Sequence, residues 1–321
     1  MAQPQPYYAI EGNDNGLSVV FVHGMGVDHR SLMMLDEAFD GNDSIRRIYL
    51  DLPGFGRTPA LPENACGLPE MADWLQTVID GLVGKATPFA MVGNSMGGAL
   101  VREVLAREPR RVVGMALIAP VVDPQHAGRH VAEHVVANPN PKLTYSLPQE
   151  QVFDFITMGV NQSFDAWRRY QRFILPGVAL CDRAACERLD QRYWLDDDPE
   201  KTLGTYAGPV LIVTGKQDQI VGYEDQQALL PHYPNATFVT LDNAGHNAHI
   251  DQPEAVITLV REWVAHMAFA PLRRRSAEAY MYTSDQCQLT QYTLHGISFF
   301  DIVISMFAVS SKTSAPERTG L

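Results

Sequence analysis

Residues 86–97 read Ala-Thr-Pro-Phe-Ala-Met-Val-Gly-Asn-Ser-Met-Gly, an apolar run that ends in Gly93-Asn94-Ser95-Met96-Gly97. The residues that follow, 98–105, carry apolar side chains at helical spacing. A serine between two glycines, where a buried strand turns into a helix, is the pattern of a nucleophile elbow. Glycine is expected at both flanking positions because a side chain there would collide with neighbouring backbone. The motif therefore predicts that Ser95 is a nucleophile held in a strained conformation.

Short apolar runs alternate with helical patterns along most of the chain, which is typical of a parallel sheet built from β-α-β units. Predicted strands span residues 17–22, 46–50, 89–92, 112–118, 210–214 and 237–241, and residues 7–10 leave room for one further short strand. Predicted helices span residues 31–39, 69–83, 96–107, 223–230 and 253–267. The sequence therefore predicts an α/β fold with a mostly parallel, doubly wound sheet and ligands at the carboxyl ends of its strands.

Residues 121–203 interrupt this alternation, because they contain helical stretches and no convincing parallel strand. We interpret them as a helical cap inserted between the two parts of the core, residues 1–120 and 204–270. Most of its aromatic side chains are expected to be buried and a few to line an apolar pocket: Phe153, Phe155, Phe164, Trp167, Tyr170, Phe173, Tyr193 and Trp194. Residues 271–321 lack a clear period and are predicted to form a poorly ordered, dispensable C-terminal extension.

Composition and charge restrict the class of partner. The hydrophobic content of 46% is sufficient for a substantial core in 321 residues, and the net charge of −12 disfavours nucleic acid and anionic membranes, which are themselves negative. No leader is visible at the N-terminus, and the apolar stretch 297–309 is short for a bilayer and contains Asp301. The four cysteines form no CxxC pair, which favours reduced thiols. We therefore expect a cytoplasmic protein whose partner is a small molecule.

A serine nucleophile needs a base, and histidine is the usual one because it takes up and returns a proton near neutral pH. Of the ten histidines, His246 stands out because it follows the last predicted strand after a short loop and precedes the last helix. His249, three positions later, is the nearest competitor. We therefore predict that His246 is the base.

The base in turn needs a carboxylate that fixes its tautomer. Asp218 directly follows the predicted strand at 210–214 and precedes His246 in the chain. Asp123 follows the preceding strand and is an alternative, although Asp123-Pro124 also resembles the start of a helix. Asp242 is close to His246 in sequence, which disfavours it. Asp218 is thus the predicted acid.

An oxyanion formed by attack on a carbonyl needs two preorganised N–H donors. The N–H of Met96, directly after the nucleophile, is one candidate, because it lies at a helix N-terminus. The second is expected in the loop after the first long strand, His23-Gly24-Met25-Gly26, most plausibly the N–H of Met25. We interpret His23 itself as structural.

Five motifs together resemble the α/β-hydrolase fold superfamily over residues 7–268: His23-Gly24-Met25-Gly26, Asp51-Leu-Pro-Gly-Phe-Gly-Arg-Thr58, Gly93-Asn-Ser-Met-Gly97, Gly215-Lys-Gln-Asp218 and Gly245-His246. They occur in the order of that family, nucleophile before acid before histidine. The resemblance is greatest to small, capped, cofactor-free serine hydrolases, with relatives among esterases, carbon–carbon bond hydrolases and haloperoxidases. One departure is the short N-terminal segment, which leaves the usual opening hairpin absent or clipped.

The resemblance implies a reaction through an acyl-enzyme on a small, partly apolar ester, amide or carbon–carbon substrate, without a cofactor. A serine at position 95 argues against haloalkane dehalogenases and epoxide hydrolases, which use an aspartate nucleophile. Two alternatives stay open, a lyase of the hydroxynitrile-lyase type at the same residues and a non-catalytic ligand receptor.

Three histidines spaced four apart, His126, His130 and His134, would share one face of a helix and could bind a metal there. No matching carboxylate or cysteine set accompanies them, so we predict a solvated or packed helix face and no metal site.

Overall fold

The computed structural model describes residues 3–281, with side chains for residues 3–148 and 152–267. Within this range, seven strands form one sheet in the order β1-β3-β2-β4-β5-β6-β7. Their bounds are β1 (Tyr8–Gly12), β2 (Leu17–Val22), β3 (Ile45–Leu50), β4 (Phe89–Asn94), β5 (Val112–Ile118), β6 (Val210–Gly215) and β7 (Ala236–Leu241). Only β1 is antiparallel to its neighbour among these pairs. The prediction of a mostly parallel sheet is confirmed. At the N-terminal edge, where we expected the usual hairpin to be absent or clipped, the sheet has the single strand β1.

Both faces of the sheet are buried, which explains why its strands read as continuous apolar runs. Val20 and Val22 belong to one core cluster with residues of the helices after β3 and β4, whereas Val19 and Phe21 belong to the cluster on the other face. The site described below lies where β4, β6 and β7 end.

In the described part of the chain, six α-helices lie outside the segment between β5 and β6: α1 (Arg30–Met33), α2 (Leu68–Leu82), α3 (Met96–Arg107), α10 (Glu224–Gln227), α11 (Ala248–Asp251) and α12 (Pro253–Met281). The predicted helix 31–39 is a short α1 followed by a 3₁₀ helix, Met34–Phe39, and the predicted helix 223–230 shortens to α10. By contrast, α12 continues to Met281 instead of ending near Met267. The rest of the predicted C-terminal extension lies outside the described residues. Among residues 3–281, no helix is both long enough and apolar enough to cross a bilayer.

We call residues 119–209, between β5 and β6, the insertion. It contains six further α-helices: α4 (Pro141–Ser146), α5 (Gln149–Met158), α6 (Phe164–Phe173), α7 (Leu175–Leu180), α8 (Arg183–Asp190) and α9 (Pro199–Leu203). Phe155, Trp167 and Tyr170 are buried with ring centroids 5.1–6.2 Å apart. Phe153 and Trp194, in contrast, are exposed. Some of the aromatic side chains thus form a core within the insertion.

The prediction that His126, His130 and His134 share a helix face is wrong. His126 begins a 3₁₀ turn, His126–Gly128, and residues 129–140 contain no helix. The N–H of His130 donates to the Asp225 carboxylate at 3.1 Å, so it is not available to a helical ladder. The imidazole of His130 also pairs with Asp225, at 2.7 Å, which raises the pKa of His130.

Candidate active site

Ser95 lies between β4 and α3 in the strained conformation that the sequence predicts. Its φ of 53° and ψ of −118° are a combination that non-glycine residues rarely adopt. The main chain around it is held by three bonds: Ser95 N donates to Ile118 O at 3.1 Å, and Ser95 O accepts from Gly98 N and Val121 N, both at 2.9 Å. A Cβ at Gly97 would overlap the carbonyl oxygen of Val22, so the tight turn requires glycine there.

His246 lies on the loop after β7 and faces Ser95. Its Nε2 lies 2.9 Å from Ser95 Oγ, and its Nδ1 lies 3.0 Å from Asp218 Oδ2. Ser95 and His246 are only 8% and 6% exposed, so water has little access to the hydroxyl–imidazole pair. The structure therefore brings the predicted nucleophile and base within hydrogen-bonding distance.

Asp218 follows β6 and is fully buried. Its Oδ1 accepts the N–H groups of Ile220 at 2.8 Å and Val221 at 3.0 Å, which leaves Oδ2 directed to His246. This arrangement fixes the carboxylate by main-chain donors, so that the imidazole carries its proton on Nδ1 and presents Nε2 as an acceptor toward Ser95.

The rival residues lie elsewhere. Asp123 accepts the N–H of Gln125 at 2.7 Å and closes a turn, and no α-helix begins there. The Arg129 guanidinium donates to the carbonyl of Asp123 at 2.8 Å. Asp242 accepts from the side chain of Gln217 at 2.9 Å on the surface, which lowers its pKa. His249 is fully buried, and burial lowers its pKa to about 3. Neither ring nitrogen of His249 has a hydrogen-bond partner among the residues that the structure describes.

Of the two predicted oxyanion donors, Met96 directly follows Ser95, and Met25 follows Gly24, which contacts Ser95. Met96 is the first residue of α3, and N–H groups of a first helical turn have no acceptor within their helix. The loop carrying Met25 lies against the nucleophile, since a Cβ at Gly24 would come within 2.9 Å of Ser95 Cβ. The main chain at Gly24, the residue before Met25, therefore lies against the side chain of Ser95.

His23 connects two loops at this edge of the sheet. Its Nδ1 donates to Gly24 O at 2.7 Å and its Nε2 accepts the N–H of Leu52 at 2.9 Å. Complete burial lowers the pKa of His23 and favours the neutral form that these bonds require. Both ring nitrogens are engaged by main chain, which agrees with a structural interpretation.

A second set of ligand-type side chains, Asp28, His29 and Asp51, lies within 4.8 Å at the same edge. His29 Nδ1 lies 2.6 Å from Asp51 Oδ1, and Asp28 is paired with the Arg30 guanidinium. Asp51 also accepts the N–H of Arg57 at 2.9 Å. These groups bind each other and thereby hold the loops after β2 and β3 together, so they are not aligned as free ligands for an ion.

The insertion contacts the loops that carry Asp218 and His246. The side chain of Gln219 donates to Thr157 O at 2.7 Å, and Ala132 N donates to Asp218 O at 3.4 Å. Gly245 lies so close to Val160 that a Cβ would approach its Cγ2 to 2.8 Å. The positions of Asp218 and His246 therefore depend on residues of the insertion as well as on the sheet.

One buried carboxylate at this contact, Asp251, was not singled out from the sequence. It is 2% exposed and accepts the N–H of Gly245, the residue before His246, at 2.9 Å. The available signal was an acidic residue at the end of the short segment Ala248-His249-Ile250-Asp251, two residues before α12 begins at Pro253. In that place an aspartate is also a common helix cap, which made the signal ambiguous.

Comparisons with known proteins identify the family of this chain. A model of the Alpha/beta hydrolase family matches residues 19–259. The dihydrolipoyllysine-residue acetyltransferase component of the acetoin cleaving system of Cupriavidus necator is 28% identical over 76% of this chain, but the chain spans only 63% of that relative. The 2-succinyl-6-hydroxy-2,4-cyclohexadiene-1-carboxylate synthase of Salmonella paratyphi B is 25% identical over 77% of this chain and 93% of its own length.

Solved structures show the same architecture. An α/β superfamily hydrolase from Oenococcus oeni superposes with a TM-score of 0.74 and 29% identity, covering 82% of this chain and 96% of that one. An esterase from Exiguobacterium antarcticum superposes with a TM-score of 0.61 over 82% of this chain and 96% of that one, and its 19% identity shows the fold alone.

Proposed function

Because the chain belongs to the α/β-hydrolase family, we propose that it is a serine hydrolase in which Ser95, His246 and Asp218 form a catalytic triad. The observation that carries this proposal is the continuous hydrogen-bonded line from Ser95 Oγ to His246 at 2.9 Å and on to Asp218 at 3.0 Å. Its position at a strained strand–helix turn supports the same conclusion.

In the proposed reaction, His246 Nε2 takes the proton of Ser95 as Oγ attacks a substrate carbonyl carbon. The N–H groups of Met25 and Met96 bind the oxyanion, and His246 then gives its proton to the leaving group. A water molecule, deprotonated by the same imidazole, releases the acyl group and regenerates Ser95. Asp218 remains ionised and stabilises the imidazolium.

We propose a small, partly apolar ester as the substrate. The low exposure of Ser95 favours a compact acyl group, and the contacts of the insertion with both catalytic loops favour a site bounded by the insertion. No cofactor takes part in the proposed steps, since nucleophile, base and oxyanion donors all come from the chain.

A fluorophosphonate probe tests the assignment directly. It should label Ser95, and Ser95→Ala should abolish labelling, whereas Ser18→Ala, at a buried serine on β2, should leave labelling unchanged. Label at another residue, or none on folded protein, would contradict the triad. Hydrolysis should also slow as pH falls, because only unprotonated His246 accepts the serine proton; a rate that is constant down to pH 4 would contradict the role of His246.

The substrate class is tested with p-nitrophenyl esters of graded chain length beside lactones and vinylogous 1,5-diketones. We expect ester turnover to be fastest with short acyl chains and to fall as the chain lengthens.

A second candidate is lyase-type chemistry at the same residues, which the synthase among the relatives favours. There, Ser95 and His246 would move protons without an acyl-enzyme. Mass spectrometry of acid-quenched turnover separates the two, since an acyl adduct on Ser95 supports the hydrolase and its absence during rapid turnover supports the lyase.

A further inference from the structure

Asp251 links the base-bearing loop to the insertion. Its Oδ2 accepts the N–H of Gly245 at 2.9 Å, and its Oδ1 accepts the N–H of Asn161 at 3.0 Å. The side-chain amide of Asn161 returns a bond to the carbonyl of Asp251, at 3.2 Å. One buried carboxylate thus bonds the residue before His246 with one oxygen and the insertion with the other.

The same short segment has two further contacts with the insertion. Gly245 packs against Val160, and the Arg169 guanidinium donates to the carbonyl of Ile250 at 3.1 Å. The insertion therefore holds the main chain of residues 245–251 at several points. His246 is part of this segment, so these contacts hold the main chain from which its imidazole projects.

We propose that Asp251 is a positioning residue that keeps His246 Nε2 within reach of Ser95 by fixing the main chain of Gly245 against the insertion. This inference rests on the proposed function. Burial raises the pKa of Asp251 to about 6, against the opposing effect of its N–H bonds, so the carboxylate is mostly ionised at pH 8. The ionised form offers a full acceptor oxygen to each N–H group, whereas protonation turns one oxygen into a hydroxyl, which is a weaker acceptor.

Asp251→Asn tests the role because it keeps the volume but places an NH₂ group against one of the two N–H donors. At pH 8 we expect kcat for an ester to fall about tenfold, with KM changed less than twofold. The rate of fluorophosphonate labelling of Ser95 should fall by a similar factor. Should Asp251→Asn fail to fold, Asp251→Ser is measured with the same expectation, since it leaves room for a bonded water.

Asp36→Asn is the matched control. Asp36 accepts from Arg47 at 2.6 Å and Tyr49 at 2.7 Å, away from the three catalytic residues, so its loss should lower the melting temperature without changing kcat. A folded Asp251→Asn with kcat and labelling within twofold of wild type would overturn the positioning role. Wild-type protein that neither labels nor turns over esters would instead overturn the proposed function.

A separate observation concerns two thiols. Sγ of Cys181, directly after α7, lies 2.9 Å from Sγ of Cys186 on α8, and both residues are half-buried. Asp182 between them is fixed, since its N–H donates to Gly54 O at 3.0 Å and its carboxylate accepts the N–H of Ala185 at 3.1 Å. The main chain between the two thiols is therefore held in place, and the sulfur atoms lie 2.9 Å apart across it.

We infer that Cys181 and Cys186 form a disulfide when a small disulfide oxidant is present. The Cys181 thiolate attacks one sulfur of oxidised glutathione and expels a glutathione thiolate. The Cys186 thiolate then attacks Cys181 Sγ in the mixed disulfide and expels the second glutathione. Two protein thiols are oxidised and one oxidised glutathione is reduced to two thiols. The hydrogen bond from Cys186 lowers the pKa of Cys181, which favours it as the attacking thiolate.

The test is incubation with oxidised glutathione, alkylation with iodoacetamide and peptide mass spectrometry without reductant. We expect a Cys181–Cys186 bridge while Cys66, a half-buried single thiol, stays alkylated or glutathionylated. Cys186→Ser should convert the bridge to a stable glutathione adduct on Cys181. Full alkylation of both cysteines, or a persistent adduct in the wild type, would overturn the inference.

Discussion

Replacing Asp218 with asparagine should slow ester turnover about ten-thousandfold without unfolding the chain. Asp218 Oδ1 accepts two main-chain N–H groups, at 2.8 and 3.0 Å, and Oδ2 accepts from His246 at 3.0 Å. Because the two main-chain donors need an acceptor, asparagine has to place its carbonyl oxygen toward them. Its NH₂ group then faces His246.

The imidazole of His246 then accepts a hydrogen bond from that NH₂ group through an unprotonated Nδ1, so its own proton moves to Nε2. Nε2 lies 2.9 Å from Ser95 Oγ, and an N–H group there cannot accept the serine proton. The imidazolium of the transition state also loses its neighbouring negative charge. A factor of about 10⁴ corresponds to about 5.4 kcal/mol of activation free energy, at about 1.36 kcal/mol for each factor of ten.

The assay is kcat for a p-nitrophenyl ester, with melting temperature as the measure of folding. Asp123→Asn and Asp242→Asn replace the two rival carboxylates and should leave kcat within about twofold of wild type. Retention of more than a tenth of wild-type kcat by folded Asp218→Asn, or a large loss in Asp123→Asn, would refute the tautomer argument.

Three other perturbations follow from the packing. Gly97→Ala should abolish both turnover and stable folding because its Cβ would overlap Val22 O, whereas Gly81→Ala, which meets open space on α2, should raise the free energy of unfolding by about 0.5–1 kcal/mol; urea titration distinguishes them. Glu200→Gln should cost about 3 kcal/mol or more in urea unfolding, since it removes the carboxylate that pairs with buried Arg102, and an unchanged midpoint would contradict this. For His249, the pKa of about 3 in the folded chain lies below the unfolded value of 6.5, so the unfolded state binds more protons between these values and stability falls as pH drops through that window. Between pH 7 and pH 5, His249 should lower the free energy of unfolding of the wild type by about 2 kcal/mol, and His249→Leu should lack this decrease. An identical pH dependence of stability in the variant and wild type would refute it.

Features that depend on neighbouring residues could be predicted from the sequence. Val19 and Phe21 point to one core cluster, Val20 and Val22 to the other, so a run of apolar residues marks β2 as a doubly covered strand. The elbow around Ser95 is equally local, because its strain and its glycines lie within a few residues.

Two features that depend on distant partners, outside any recognisable motif, could not be predicted. The N–H of His130 donates to the carboxylate of Asp225, 95 positions along the chain, so the helix suggested by the spacing of the histidines does not form. Asp251 gains its importance from Asn161, which is 90 positions away. Neither partner is visible from spacing or composition, because tertiary hydrogen bonds override local preference.

The order of segments along the chain has a consequence for engineering. The insertion lies between β5 and β6, after Ser95 in the sequence and before Asp218 and His246. It contacts the loops that carry Asp218 and His246. Ala132 bonds Asp218, and Asn161 bonds Asp251. The insertion is therefore not an interchangeable module. A chimaera that carries another family member's insertion must also carry matching residues at these two contacts. Without them, we expect His246 to be misaligned with Ser95, whatever the new insertion does to substrate preference.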